Sequence, residues 1–190
     1  MYSFLVFLKS LNYLEMEQRD SRPARRSRRL FEGQIKKDES CKTIIALETN
    51  CEKGLGIRWF PNKGRGVVAQ KEFCPGDYVV EYRGDLIDQV EAKSRLARYV
   101  EENIGGSYMY FFKFRNEPLC IDATAESGHL GRLINHSRLH PNLHPKIISV
   151  DPTPRIVFYA KRVIKENEEL LYDYGDRNKE SVKNNPWLAF

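Results

Sequence analysis

The feature that most constrains the fold is a succession of short strand-like runs separated by turns. β-branched and aromatic residues are enriched in strands, and Gly, Pro, Asn and Asp mark the turns between them. One stretch inside the body, DQVEAKSRLARYVEEN, has a helical pattern, with Val90, Ala97 and Val100 among its apolar positions. The strand-like runs are TIIAL, GIRWF, GVVA, YVVEY, YMYFFKF, LCIDA, RIVFYA and ELLYDY. Many short strands with few short helices predict a mostly β domain.

One segment lacks this regularity. Residues 140–154 contain four of the nine prolines, so we expect this segment to be mostly loop. The histidines at positions 136, 140 and 144 stand four apart, a spacing that would place metal ligands on one face of a helix. Pro141 and Pro145 argue against such a helix. We therefore expect incidental histidines and no metal site.

The net charge of the chain comes from its first 37 residues. They contain nine basic and four acidic groups, a net of +5 that equals the formal charge of the whole chain. Such a basic block is typical of a nuclear-import signal or a contact for nucleic acid, and a solvated disordered tail fits equally well. We interpret residues 1–40 as a basic, disordered arm that could contact DNA, and residues 41–62 as a lead-in to the domain.

The first 16 residues, MYSFLVFLKSLNYLEM, have some of the apolar content of a signal peptide. They lack a basic region before the apolar run, Lys9 interrupts that run, and no cleavage site with small residues follows. We expect a short amphipathic helix there instead. No stretch of the chain approaches the roughly 20 apolar residues of a membrane span, so we expect no membrane association.

The four cysteines are scattered along the chain, at positions 41, 51, 74 and 120, without any CxC or CxxC pair. This pattern favours reduced thiols in an intracellular protein over a disulfide framework or a structural zinc site.

The segment LLYDYG, residues 170–175, sets two phenols two positions apart. In an extended chain Tyr172 and Tyr174 point to the same face, where two hydroxyls could frame a pocket. A half-buried strand whose aromatic rings pack into a core is the other interpretation, and for these two residues alone it is the more common one.

Two further motifs contain polar groups that could bind a ligand. In NKGRG, Lys63 and Arg65 supply cations beside glycines that let the backbone approach an anion such as a carboxylate. In LGRLINHS, Asn135 and His136 follow an apolar run. If this pair is buried it must be hydrogen-bonded, either to the fold or to a ligand.

The order of these motifs resembles that of the SET-domain protein lysine methyltransferases. KGRG, GDYVVEYRGDLI, YMYFF, IDAT, GRLINHS and EELLYDYGD follow one another as in that family, and the resemblance covers residues 63–190. Within the family the chain is most similar to the enzymes that add one methyl group to lysine-20 of histone H4. LGRLINHS, LLYDYGDR and the terminal PWL correspond to them, and the cysteine-rich zinc cluster that closes most other SET enzymes is missing from the sequence.

The resemblance implies a SET-domain fold, in which small sheets surround a pseudoknot-like core made by LGRLINHS and LLYDYG. Residues 63–175 would form the SET core. Residues 176–190 would form a zinc-free C-terminal segment that covers the cofactor.

The resemblance also implies the chemistry, which is transfer of a methyl group from S-adenosylmethionine to a lysine amine without a metal. Tyr174 would be the catalytic tyrosine near the methyl group, Tyr82 a second hydroxyl that orients the amine, and Tyr172 the residue that limits the product to one methyl. Trp187 would stack on the adenine. The full set of implied cofactor contacts is Lys63, Gly64, Arg65, Tyr108, Asn135, His136 and Trp187.

The implied partners are the histone H4 tail and the nucleosome, and the implied location is the nucleus and chromosome, with the protein as a monomer. Two alternatives stay open: methylation of another histone or non-histone lysine, and a catalytically silent nucleosome-binding scaffold. Some positions depart from the family pattern. Arg83 stands where the most similar relatives have a histidine, residues 138–154 form a loop of their own, and Asn167 takes a turn position where glycine is usual, which Asn tolerates at positive φ.

Overall fold

The computed structural model describes residues 40–61, 63–104, 108–150, 152–175, 177, 183 and 189. The amphipathic helix expected at residues 1–16, nearly all of the basic arm and most of the C-terminal segment, Trp187 included, lie outside the described residues. The chain divides into two compact units, Met1–Lys42 and Thr43–Phe190. The domain boundaries expected from the sequence remain predictions.

The described part of the second unit is mostly β, as predicted. Residues 40–48 are helical (α1), a second helix, α2, covers Gln89–Glu101, and a short 3₁₀ turn covers Gly131–Leu133. The ten described strands are β1 Leu55–Phe60, β2 Gly64–Ala69, β3 Tyr78–Tyr82, β4 Asp85–Asp88, β5 Met109–Phe114, β6 Glu117–Asp122, β7 Asn135–His136, β8 Leu143–Val150, β9 Thr153–Ala160 and β10 Leu171–Tyr172.

These strands pair into four small sheets. β1 pairs with β2, and two three-stranded sheets have the orders β3-β9-β8 and β4-β6-β5. The fourth sheet is a two-residue parallel pair, which sets Leu171 opposite Asn135 and Tyr172 opposite His136. The motifs LGRLINHS and LLYDYG therefore meet side by side, and small sheets surround their meeting point as predicted for a SET fold.

The apolar core lies around this meeting point. Most of its members come from β2, β3, β9 and the segments next to β7 and β10, and Val67, Phe158 and Leu170 are completely buried. Tyr82 and Tyr172 belong to the same cluster. Two of the three tyrosines expected at the site are therefore part of the hydrophobic core.

The prediction of a strand at residues 43–47 is wrong, because this segment belongs to α1. Its β-branched residues suggested a strand, but Thr43 and Leu47 are the buried pair, and four residues is the spacing of one helix face. Ile45 between them is 59% exposed. The hydroxyl of Thr43 lies 3.1 Å from that of Tyr159 on β9, so packing and a hydrogen bond override the local preference.

The prediction of a loop over residues 140–154 is wrong along most of its length. β8 pairs with β9 from Leu143 to Val150. Proline has no N–H to donate, so it is tolerated where a strand lies at the edge of a sheet. β8 is such an edge strand, and Pro145 pairs with Phe158 without interrupting the register.

Helix α2 is confirmed, but polar contacts hold its inner face. Asp88 caps its N-terminus by accepting a hydrogen bond from the backbone N–H of Glu91 at 2.8 Å. Arg95 and Tyr99 both donate to the buried carboxylate of Asp122 on β6, at 3.0 and 2.7 Å. The apolar positions noted in the sequence are outside, with Val90 and Val100 each at least three-quarters exposed.

All four cysteines are free, as the sequence predicted. In the part of the chain that the structure describes, no helix is long and apolar enough to cross a membrane.

The turn at Asn167 gives a first testable prediction. Its φ is +68°, in the left-handed region where asparagine is tolerated, as expected from the sequence. The side-chain oxygen also accepts a hydrogen bond from Arg58 at 3.2 Å. Asn167→Ala and Asn167→Gly both remove that hydrogen bond. The difference between their free energies of unfolding therefore reports only the cost of positive φ in the backbone. We expect the alanine variant to be less stable than the glycine variant by about 1 kcal/mol in urea denaturation; equal stabilities would contradict this.

Candidate active site

Five aromatic rings cluster beside the β7–β10 pair. The ring centroid of Tyr172 lies 4.5 Å from that of Phe158 and 4.6 Å from that of Tyr174. The ring centroids of Tyr82 and Tyr110 are 5.3 Å apart. Tyr110 and Tyr172 are stacked at 6.1 Å. The structure thus brings together the three phenols that the sequence predicted as catalytic, and adds Tyr110 and Phe158. The sequence signal for Tyr110 was the alternation of aromatic residues in YMYFF, and that for Phe158 was its position two residues after Ile156 in the strand-like RIVFYA.

The cluster is graded from buried to exposed. Tyr82 and Tyr172 are 4% and 5% exposed, whereas Tyr174 is 40% exposed. A side chain that entered beside Tyr174 would therefore move from water into the buried aromatic environment of Tyr172 and Tyr82.

Tyr174 is fixed to the other motif through three contacts. Its backbone N–H donates to Nδ1 of His136 at 3.1 Å, its hydroxyl donates to the carbonyl oxygen of Ile134 at 2.9 Å, and the His136 and Tyr174 rings lie 4.9 Å apart. Because Nδ1 accepts, the neutral imidazole has its proton on Nε2. A neutral His136 can therefore donate a hydrogen bond only through Nε2.

The phenols of the cluster are all held neutral. Burial raises the pKa of Tyr172, Tyr82 and Tyr174 well above the usual range, and the neighbouring phenols raise the pKa of Tyr172 further. Burial also raises the pKa of Tyr110 to about 12. At neutral pH these hydroxyls can donate and accept hydrogen bonds, but none is a phenolate base.

These raised pKa values predict alkaline instability. A phenol whose pKa is higher in the folded than in the unfolded state stabilises the fold while it is neutral. This stabilisation is complete below the unfolded pKa near 10 and is lost as the pH rises towards the folded pKa. We expect the tyrosinate absorbance to appear in two phases, exposed phenols near pH 10 and the cluster only with unfolding at higher pH. A single phase for all ten tyrosines, with the fold intact, would contradict this.

A carboxylate missed from the sequence joins two of the expected cofactor contacts. Glu169 accepts a hydrogen bond from the side-chain amide of Asn135 at 3.0 Å and forms an ion pair with the ammonium of Lys63, also at 3.0 Å. With the Nδ2 atom of Asn135 held in this way, its Oδ1 is oriented as the acceptor. Gly64, next to Lys63, has a φ of +76°, which only glycine adopts readily.

A second carboxylate joins another expected cofactor contact, Arg65, to Arg132. Glu126 forms ion pairs with Arg65 and with Arg132, the latter at 3.2 Å. The guanidinium carbon of Arg132 lies 3.9 Å from the centre of the Tyr108 ring. Burial is the main cause of the raised pKa of Tyr174, and Tyr108 and Glu169 raise this pKa further.

The described residues contain no group of three His, Cys, Asp or Glu side chains that could hold a metal ion. His136 lies in β7 and His144 in β8, so the helical arrangement of histidines considered above is not formed.

Comparisons with known proteins agree with this geometry. A family model described as SET domain matches residues 64–175. The N-lysine methyltransferase KMT5A-A of Xenopus laevis is 44% identical over 169 residues, which cover 89% of this chain and 50% of that protein. The histone-lysine N-methyltransferase Set8 of Drosophila melanogaster is 47% identical over 176 residues, 92% of this chain and 25% of that protein.

This chain thus spans about half the length, or less, of these relatives. The histone-lysine N-methyltransferase set-1 of Caenorhabditis elegans is 44% identical over 167 residues and is covered to 69% of its length. The crystal structure of CpSET8 from Cryptosporidium matches with a TM-score of 0.61 and 46% identity, over 65% of this chain and 58% of that one. The β7–β10 meeting point, the aromatic cluster beside it and these matches lead to one conclusion: the chain belongs to the SET-domain family.

Proposed function

We propose that this protein is a histone-lysine N-methyltransferase that transfers one methyl group from S-adenosylmethionine to lysine-20 of histone H4. The observation that carries the proposal is the cluster of neutral phenols, Tyr82, Tyr172 and Tyr174, beside His136 at the β7–β10 pair. The names of the relatives, N-lysine methyltransferase and histone-lysine N-methyltransferase, support the same reaction.

The aromatic cluster suits a lysine amine that must lose its proton before it reacts. A free lysine has a pKa of about 10.4, and transfer into an apolar environment lowers that value because burial disfavours the charged form. Since the phenols are neutral, the proton leaves to water and not to a tyrosinate. The site then needs shape and alignment more than a base, and alignment alone supplies a large part of a rate enhancement.

The hydroxyl of Tyr174 has the right hydrogen-bond state to act on the reacting groups. Because it donates its proton to Ile134, its oxygen can act only as an acceptor towards a reacting group. An acceptor there orients the N–H bonds of a neutral amine and stabilises positive charge at a nearby methyl group. Tyr82, more deeply buried in the cluster, is the second hydroxyl that aligns the amine.

The residues around Lys63 and Arg65 fit S-adenosylmethionine. Its amino-acid end has a carboxylate and an ammonium group, and this region already accommodates one carboxylate between Arg65 and Arg132 and offers the Oδ1 acceptor of Asn135. When bound, S-adenosylmethionine supplies an electrophilic methyl group on a positively charged sulfur. The residues that would hold it are Lys63, Gly64, Arg65, Tyr108, Asn135, His136 and, from the C-terminal segment, Trp187.

Tyr172 is the residue proposed to limit the product to one methyl group. Its ring is fixed between Phe158 and Tyr174, and its hydroxyl takes up space that a methylated amine would need. Tyr172→Phe frees that space, and we expect the variant to produce dimethyl-lysine. The measurement is the mass of the H4 peptide after long incubation. A product that stays monomethylated, from a variant with unchanged rate for the first methyl, would contradict the assignment.

The proposed partners are the histone H4 tail and the nucleosome, with the protein acting as a monomer in the nucleus, on chromosomes. SET enzymes hold their peptide as an added strand, in which main-chain hydrogen bonds give affinity and side-chain pockets give specificity. The basic residues of the first 37 positions would add contacts to DNA, and such contacts weaken steeply with salt.

The experiment that tests the function is mass spectrometry of recombinant nucleosomes and free histones after incubation with the protein and S-adenosylmethionine. We expect one methyl group on lysine-20 of H4, and none when that lysine is replaced by arginine. Methylation at a different lysine would redirect the substrate assignment to another histone site. Cofactor binding without methylation of any histone would point to a non-histone substrate, and neither binding nor methylation would leave the scaffold alternative.

A further inference from the structure

Glu126 places a carboxylate between two arginines at the site. Its Oε2 lies 3.3 Å from Nη1 of Arg65 and 3.2 Å from Nη1 of Arg132, while its Oε1 accepts from Nη2 of Arg65. The two guanidinium groups therefore form one slot of the size of a single carboxylate. Arg–carboxylate pairs of this bidentate kind are among the stronger and more specific charge-assisted contacts.

The slot is formed by the fold and not by the glutamate. The side chain of Arg132 is 1% exposed, donates from Nε to the carbonyl of Ala123 at 2.6 Å and from Nη2 to that of Thr124 at 3.1 Å. Its Nη1 is buried and makes no hydrogen bond within the described residues, although it faces the carboxylate of Glu126 at ion-pair distance. A buried guanidinium with an unsatisfied N–H strongly favours an anion beside it.

Glu126, in contrast, lies on the solvent side of the slot. Its side chain is 66% exposed, and it belongs to the segment between β6 and the 3₁₀ turn, outside any strand or helix. Another carboxylate in the slot would keep both arginines paired, so exchanging this exposed side chain for that carboxylate costs little. Arg65 lowers the pKa of Glu126, which keeps the carboxylate ionised at neutral pH.

We propose that Glu126 is an internal competitor for the carboxylate of S-adenosylmethionine: it fills the slot between Arg65 and Arg132, and the ligand's carboxylate takes its place on binding. This inference rests on the proposed function, because that function supplies the ligand. It adds Arg132 to the residues proposed to bind the cofactor. It also predicts a gain on mutation, which a purely structural role for Glu126 does not.

Glu126→Gln is the informative variant, because glutamine keeps the shape of the side chain and removes its charge. We expect it to bind S-adenosylhomocysteine about twofold to fivefold more tightly than the wild type, the range that corresponds to an exposed ion pair. Glu117→Gln removes a carboxylate of the β5–β6 hairpin that forms no ion pair within the described residues, and we expect it to leave the affinity unchanged. Calorimetry with S-adenosylhomocysteine makes the comparison without any need for turnover.

Two further binding measurements test whether the gain in affinity comes from the slot between Arg65 and Arg132. 5′-Methylthioadenosine lacks the amino-acid end, so it should bind the wild type and Glu126→Gln equally. In an Arg65→Gln background one side of the slot is missing, and the gain from Glu126→Gln should shrink, as in a double-mutant cycle. Equal or weaker binding of S-adenosylhomocysteine by Glu126→Gln, or an equal gain with methylthioadenosine, would overturn the competitor role while leaving the methyltransferase assignment intact. A wild type that binds neither nucleoside would overturn both.

Discussion

Replacing Tyr174 with phenylalanine is expected to lower kcat for lysine methylation by about a hundredfold and to leave the fold intact. The lost hydroxyl, which donates to Ile134, is the one proposed to act as an acceptor for the reacting groups. Removing one such electrostatic contact to a transition state costs about 3 kcal/mol in other enzymes, which corresponds to a factor of about 100. The effect should fall on kcat more than on KM, because the contact tightens as charge moves during transfer.

The fold should tolerate the change because several contacts of Tyr174 do not involve its hydroxyl. The ring still packs on Tyr172 and His136, and the backbone N–H still donates to His136. Within the described residues, the change removes the hydrogen bond to Ile134, at a cost of about 1 kcal/mol of stability.

Tyr159→Phe is the matched control. Tyr159 is also a partly buried tyrosine whose hydroxyl has a protein partner, Thr43, but its ring packs on Tyr78 and His144, outside the aromatic cluster of the site. We expect it to lose a similar amount of stability and to keep its rate of methylation. Comparable rates for Tyr174→Phe and Tyr159→Phe, measured as single turnovers, would remove Tyr174 from the chemistry.

The sequence was sufficient to predict the parts of the site that depend on local order. Alternation along a strand placed Tyr172 and Tyr174 on one face, and their rings do lie 4.6 Å apart. The pair Asn135 and His136 was expected to be hydrogen-bonded, and each has a partner, Glu169 for the amide and the Tyr174 backbone for the imidazole. Periodicity and the hydrogen-bonding needs of buried polar groups are properties of single segments, so a sequence reveals them.

The sequence was insufficient where the outcome depends on contacts between distant segments. Glu126 and Glu169 look like ordinary surface acids, and their importance comes from side chains about 60 and 106 residues away, Arg65 and Lys63. The strand at β8 was missed for the same reason, since its edge position, which makes Pro145 acceptable, is set by β9 and not by its own residues. Local propensity is weak evidence whenever a partner strand or helix decides the structure.

Gly131→Ala is expected to cause the largest loss of stability among single substitutions near the site. A Cβ at this position would lie 2.0 Å from the carbonyl oxygen of Glu81, 2.9 Å from its carbonyl carbon and 3.2 Å from Cα of Tyr82. All three are backbone atoms of β3, which is fixed by its pairing with β9, so they cannot move aside as a flexible side chain would. Forcing a methyl group into such a contact costs about 3 kcal/mol.

The loss should extend to catalysis because Gly131 begins the turn that leads into β7. Separating this turn from β3 moves Tyr82, on β3, away from His136 and Tyr174, which belong to the β7–β10 side of the site. Urea denaturation measures the first effect, and the rate of methylation at a temperature where the variant is still folded measures the second.

Gly128→Ala, three residues earlier, separates steric conflict from the general effect of adding a methyl group. Its Cβ would meet nothing within 4 Å, and its φ lies outside the left-handed range, so alanine there should be neutral or should stabilise by up to about 1 kcal/mol through the unfolded chain. Gly131→Ala and Gly128→Ala could both unfold at the same urea concentration as the wild type. That result would contradict the claim that close packing of the 3₁₀ turn against β3 positions Tyr82 beside the β7–β10 pair.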